Sequence, residues 1–109
     1  MIVTTTNDVA DHKIVQYLGI VRGITVRSRS VLGNVGAQFQ AFFGGNITIY
    51  TDLADRARQE AYDMMVQHAV EHGANGVIAF RYDANEIAEG ITEVLAYGTA
   101  VVLEKVPAA

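Results

Sequence analysis

Glu71-His72-Gly73-Ala74-Asn75-Gly76-Val77-Ile78-Ala79-Phe80-Arg81-Tyr82-Asp83 is the stretch that decides the fold. Gly73 suits the left-handed position that closes a helix. Asn75-Gly76 tolerates positive φ, so a sharp reversal is expected there. Val77 to Asp83 then alternates as a strand, with Val77, Ala79, Arg81 and Asp83 on one face and Ile78, Phe80 and Tyr82 on the other. One segment therefore predicts a helix end, a turn and a strand, and its tail carries two opposite charges around a tyrosine.

Upstream, the helix runs from about Asp52 to His72, capped by Thr51 or Asp52. At 100° per residue Ala54, Ala57, Ala61, Met64, Met65, His68 and His72 form one stripe, and Tyr62, Val66, Ala69 and Val70 form a second apolar shoulder. Ile47 to Tyr50 reads as a brief strand or an extended link. Val35 to Phe43 reads as a short helix anchored by Phe39, Phe42 and Phe43 and stopped by Gly44-Gly45. Ile2 to Thr5 reads as a short strand. Lys13 to Arg27 reads as a long one, with Ile14, Leu18, Ile20, Ile24 and Val26 on one face and Val15, Tyr17, Gly19, Val21, Gly23 and Thr25 on the other. Gly19 and Gly23 suggest a groove that receives a helix or a neighbouring subunit. Downstream, Asn85 to Gly90 reads as a turn. Ile91 to Leu103 reads as a long strand whose Ala96, Gly98 and Ala100 suit the surface beneath the helix.

The 109 residues suit a single domain, residues 1–109. A chain of this length buries roughly 65% of its unfolded surface. Yet 50% of its residues are hydrophobic and 18% charged. That apolar excess calls for a partner surface, and self-association is its simplest source. A net charge of −4 argues against nucleic-acid binding. There is no cysteine, which excludes a disulfide framework or thiolate metal site and favours the cytoplasm. Neither a signal peptide nor an apolar run long enough to span a membrane is visible.

Taken together, Gly44-Gly45, the helix ending at Gly73-Ala74-Asn75-Gly76, the strand ending in Arg81-Tyr82-Asp83, and Thr92-Glu93-Val94-Leu95-Ala96-Tyr97-Gly98-Thr99-Ala100 resemble the YbjQ family, also called UPF0145 or DUF74. The resemblance covers about Ile2 to Val106. It implies an α+β subunit of the dodecin-like type, an antiparallel sheet packed with one long and one short helix. It also implies a homopentameric ring and the label heavy-metal-binding given to some members. Soft metals prefer thiolates, and this chain has none.

Two clusters are candidates for chemistry. His68-Ala69-Val70-Glu71-His72 matches H-x-x-E-H, in which two imidazoles four residues apart on a helix share a metal. A catalytic zinc needs a third protein ligand, and nothing places His12 nearby, so packing and helix-end capping by His68 and His72 is the plainer reading. Arg81, Tyr82 and Asp83, joined by Glu93 and Tyr97 from one face of the last strand, form the second cluster. It reads as a salt-bridge network between subunits, or as a ligand site in which Arg81 grips a carboxylate or phosphate. Gly33-Asn34-Val35-Gly36 matches no phosphate-binding loop. The functions that follow are a cytoplasmic homo-oligomeric binding or scaffold protein with a small ligand or metal ion between subunits, and, as the alternative, an enzyme with its active site at the subunit interface.

Overall fold

A computed structural model describes residues 1–28 and 48–107. The short helix expected at 35–43, its three phenylalanines and the glycine pairs at 33–36 and 44–45 lie outside the described residues. The elements are β1 (Ile2–Val3), β2 (His12–Ser28), α1 (Thr48–Glu71), β3 (Gly76–Ala88) and β4 (Ile91–Lys105). The chain is α+β. Its four-stranded sheet has the order β1-β3-β4-β2. The sheet is mixed rather than antiparallel, because β1 joins β3 in parallel while β3–β4 and β4–β2 pair antiparallel. Rising about 3.3 Å per residue, β2 accounts for most of the 60 Å long axis of the molecule.

The helix starts earlier than expected. Residues 48–50 are helical, so the β-branched and aromatic run there is overridden by its place in α1, and Thr51 and Asp52 sit inside the helix instead of capping it. Its end follows the expectation in detail. Gly73 has φ +82°, Ala74 N–H donates to the Ala69 carbonyl at 3.0 Å, and Gly73 N–H donates to Val70 at 3.0 Å. These are the paired bonds of a Schellman cap.

The buried seam of α1 is Ala57, Ala61, Met65 and Ala69, a run of i, i+4 steps. Tyr62 and Val66 flank it. The expected stripe is corrected at its edges: Ala54, Met64 and His72 face solvent, and Ala69 carries the seam on. The seam packs on Val21, Val77, Val94, Ala96 and Ala100. Alanines on the helix and small residues on the strands let the two backbones come close. At Gly23 the approach is closest, since an added Cβ would lie 2.0 Å from the Ala61 carbonyl oxygen and 2.5 Å from the Met65 nitrogen. The groove expected at Gly23 therefore receives α1. Gly19 does something else: it has φ +96° and open space around it.

That difference traces to bulges. Strand β2 carries two register shifts against β4, between Ile14 and Gln16 and between Tyr17 and Gly19. Each extra residue swaps the faces of everything beyond it. Counting alternate residues from Lys13 to Arg27 consequently gives a mixed face. After the bulges, Val21, Gly23 and Thr25 turn to the helix, and Ile20, Ile24 and Val26 turn away.

Strand β3 is bulged between Ile78 and Arg81, with Ala79 at φ +54°. Gly98 of β4 lies beneath, where a Cβ would come within 2.6 Å of a Val77 methyl and 3.0 Å of the Ile78 carbonyl oxygen. Val77 therefore joins Phe80 and Tyr82 on the helix side, contrary to simple alternation. Asn85 to Ala88 extend β3, leaving only Glu89-Gly90 as the turn, with Gly90 at φ +72°.

Asn75-Gly76 is not a positive-φ reversal. The Asn75 side chain instead imitates a strand. Its Nδ2 donates to the Leu103 carbonyl at 2.9 Å, and its Oδ1 accepts from Leu103 N–H at 2.7 Å. Gly76 leaves room for Leu103, since a Cβ there would sit 2.5 Å from a Leu103 methyl and that side chain would have to shift. A second small core, Ile78, Val101 and Leu103 with Val9 and Ile14, lies on the side of the sheet away from α1. There the N-terminal segment covers one end of the sheet.

Candidate functional site

Cross-strand neighbours in an antiparallel pair share a face, so the registers lay out the side of the sheet away from α1 row by row. Ile20 pairs with Thr99, and Thr99 with Ile78. Arg22, Tyr97 and Arg81 form the next row, Ile24, Leu95 and Asp83 the third, and Val26, Glu93 and Asn85 the fourth. Arg81, Asp83, Glu93 and Tyr97 thus stand on one open face. Around them are Ile20, 77% exposed, and Val26, 50% exposed. Large apolar side chains at such exposure on a flat sheet are what a covering surface would bury.

Arg81 is anchored within its own chain. Its Nη1 donates to the Thr5 carbonyl at 2.9 Å and to the Phe80 carbonyl at 2.7 Å. The guanidinium thereby ties the N-terminal segment to the β3 bulge. Among the described residues Asp83 and Glu93 form no ion pair.

Tyr82 stands apart from the other four, on the helix side. Tyr62 meets Phe80 edge-to-face at 5.6 Å, and Phe80 meets Tyr82 at 4.8 Å. The Arg58 guanidinium lies over the Tyr82 ring, 5.4 Å from its centre. Burial pushes the Tyr82 phenol above its ordinary pKa of 10.0; Tyr62 adds to the rise, and the Arg58 charge opposes it. No local pattern announced Arg58, because its partner lies on a strand beyond the helix end. Next to this ladder a cleft of about 190 Å³ opens between the first half of α1 and the sheet. None of the five residues of the sequence cluster lines it.

The histidine pair has a different use. His68 Nδ1 accepts the Arg22 backbone N–H at 3.1 Å. Arg22 belongs to β2, the edge strand, so His68 caps an amide that would otherwise be open. An accepting Nδ1 places the proton of neutral His68 on Nε2. His72 Nδ1 lies 2.9 Å from the His68 carbonyl oxygen and donates to it. The rings meet edge-to-face at 4.6 Å. Both Nδ1 atoms are occupied, and the His68 Nε2 lone pair is spent on a proton. No group of three His, Asp or Glu side chains able to surround a cation occurs among the described residues. His12 Nδ1 lies 2.8 Å from the Ala10 carbonyl oxygen instead. With no thiolate in the chain, this donor set does not fit a soft metal ion.

Comparison with known proteins bears on the whole chain. Residues 1–104 match the model of the YbjQ family, described as "Putative heavy-metal-binding". A UPF0145 protein of Paraburkholderia phymatum is 59% identical over 99 residues, covering 91% of this chain and 89% of the relative. One from Burkholderia thailandensis is 53% identical over 100 residues, covering 92% and 90%. A crystal structure of a protein of unknown function in the DUF74 family, from Pediococcus pentosaceus, superposes with a TM-score of 0.63 at 16% identity. It spans 95% of this chain and 98% of its own, and at that identity it speaks for the fold alone. With the family model matched nearly end to end and more than half the residues shared with UPF0145 proteins, the chain belongs to the YbjQ family.

Proposed function

We propose that this chain is a cytoplasmic homo-oligomeric scaffold or binding protein, assembled through the open face of its sheet into a dodecin-like ring of five. The observation that carries the reading is the face itself: Ile20, Ile24, Val26, Leu95 and Tyr97 stand in adjacent rows, and among the described residues Ile20, Ile24 and Val26 remain exposed. The Arg22–Tyr97–Arg81 row beside Asp83 and Glu93 offers a second copy both charges in a fixed pattern, which favours one docking register. The ring size follows the family resemblance. Among the described residues no helix is long and apolar enough to cross a membrane.

Light scattering coupled to size-exclusion chromatography tests the reading. The wild type should elute as an oligomer at micromolar concentration. Ile24→Asp should shift it to smaller species while the helical circular dichroism signal is kept. A monomeric wild type, or an Ile24→Asp variant with unchanged mass, would overturn it.

A further inference from the structure

The cleft on the helix side of the sheet has a composition that specifies a ligand class. Helix α1 lies mainly over β2, and among the described residues a cleft is left between the start of α1 and the helix-facing surface of β3 and β4. Leu53 and Ala54 form one wall, and Ala84 and Val94 form the floor. The small side chains at 54 and 84 keep the space open. Two guanidinium groups, Arg27 and Arg58, line the same cleft. Their states differ. Arg27 is paired with the Glu60 carboxylate. Arg58 has no carboxylate partner among the described residues, and its guanidinium lies over the Tyr82 ring. The cleft thus has apolar walls, one end where the arginine is neutralised by Glu60, and at the other Arg58, which forms no ion pair among the described residues.

We propose that this cleft binds a small carboxylate with a compact apolar body, about the size of benzoate, its carboxylate on Arg58 and its body against Ala84 and Val94. The volume suits that size, since an apolar cavity of ~150 Å³ takes up benzene. A guanidinium fork matches a carboxylate in plane and charge. A cation is disfavoured by Arg58, and a strongly hydrated anion such as phosphate gains nothing from the apolar floor. The site lies across the sheet from the proposed assembly face, so either reading can fail while the other stands.

The experiment is titration of the full-length protein, in whatever assembly it forms, by calorimetry or NMR. Benzoate is the probe. Benzyl alcohol keeps the body without the charge, and acetate keeps the charge without the body. Benzoate should bind saturably, benzyl alcohol more weakly by roughly ten- to a hundredfold, the factor expected for one charge-assisted hydrogen-bonding group, and acetate more weakly because it buries no apolar ring. Arg58→Gln should bring benzoate down to the level of benzyl alcohol. Ala84→Leu, which fills the floor from an exposed strand position, should abolish binding. Ala54→Leu fills the same space from the helix and serves if the strand variant misfolds. Lys13→Gln, at the opposite end of β2 from the cleft, should leave benzoate affinity unchanged. Absence of saturable benzoate binding, equal affinity for acetate, or binding that survives both cleft-filling substitutions would overturn the proposal.

Discussion

Gly23→Ala asks whether the contact between α1 and β2 is as close as the structure has it. The added methyl carbon would lie 2.0 Å from the Ala61 carbonyl oxygen, 2.5 Å from the Met65 nitrogen and 2.8 Å from the Met64 Cβ, whereas real Cβ contacts stay above 3.0 Å. Two of these three atoms are backbone, so no rotamer change relieves the clash, and the helix must retreat by about 1 Å. A gap of that size forfeits a quarter to a half of the dispersion energy at each lining atom. Overpacking of this kind costs about 1–3 kcal/mol. The retreat also stretches two bonds that tie α1 to β2: the Thr25 hydroxyl to the Ala57 carbonyl, 3.2 Å, and the Arg22 amide to His68, 3.1 Å. At about 1 kcal/mol each, the total reaches roughly 3–5 kcal/mol, a large part of the ~5–15 kcal/mol typical of a domain. Thermal unfolding followed by circular dichroism at fixed protein concentration should show a fall in Tm of about 15–30 °C. Gly19→Ala is the control. Its Cβ meets open space, so only the positive φ opposes it, at about 1 kcal/mol. If Gly23→Ala costs no more than Gly19→Ala, the close approach argued here is wrong.

Other substitutions probe other parts of the molecule. Asn75→Ala removes both side-chain bonds to Leu103 and should cost about 2–3 kcal/mol in urea unfolding, with faster hydrogen exchange at the Leu103 amide; Asn75→Asp keeps the acceptor but sets a carboxylate against the Leu103 carbonyl, and should recover only part of the loss. His68→Leu leaves the Arg22 amide without its acceptor, so exchange at that amide should rise while His72→Leu leaves it unchanged; equal effects would contradict the edge-capping role. Tyr82 should titrate above pH 10.0 by ultraviolet difference absorbance, and Arg58→Gln should push it higher, because the guanidinium is the influence that lowers it. The stability sign follows. With the folded pKa above the unfolded one, the Tyr82 contribution is complete below the unfolded value and is lost as pH rises through the folded one. Tyr82→Phe should flatten that alkaline decline, and an unaltered alkaline profile in the variant would count against the shift.

Short-range signals were legible where a single residue type decides the backbone. Gly73 closes α1 because only a left-handed residue completes the cap, and the helix and long strands announce themselves by period. What stayed hidden depends on distant parts of the chain. Bulges in β2 and β3 change which residues share a face, and alternation counted through them misplaces Tyr17, Val77 and Tyr82. Asn75-Gly76 carries the signature of a reversal, yet its side chain serves β4, a partner 28 residues away. The helix start was missed because Thr48 and Tyr50 favour strands locally and α1 absorbs them. In the candidate site, Arg81 and Asp83 could be placed together by alternation within one strand, whereas their relation to Glu93 and Tyr97 needed the β3–β4 register. Arg58 and the cleft had no sequence signal, since the residues involved come from a helix and three strands.

The β3 bulge carries a consequence for how such chains diverge. One surplus residue at Ala79-Phe80 decides whether arginine or tyrosine faces α1 between Arg81 and Glu86. Removing that residue by a single codon deletion would exchange the two surfaces of the distal β3 ribbon at one stroke, sending Arg81 and Asp83 beneath the helix and Tyr82 outward. Among relatives of this chain, a deletion at this point should therefore travel with inverted polarity along residues 81–86. Point substitution alone would need several coordinated changes to reach the same surface.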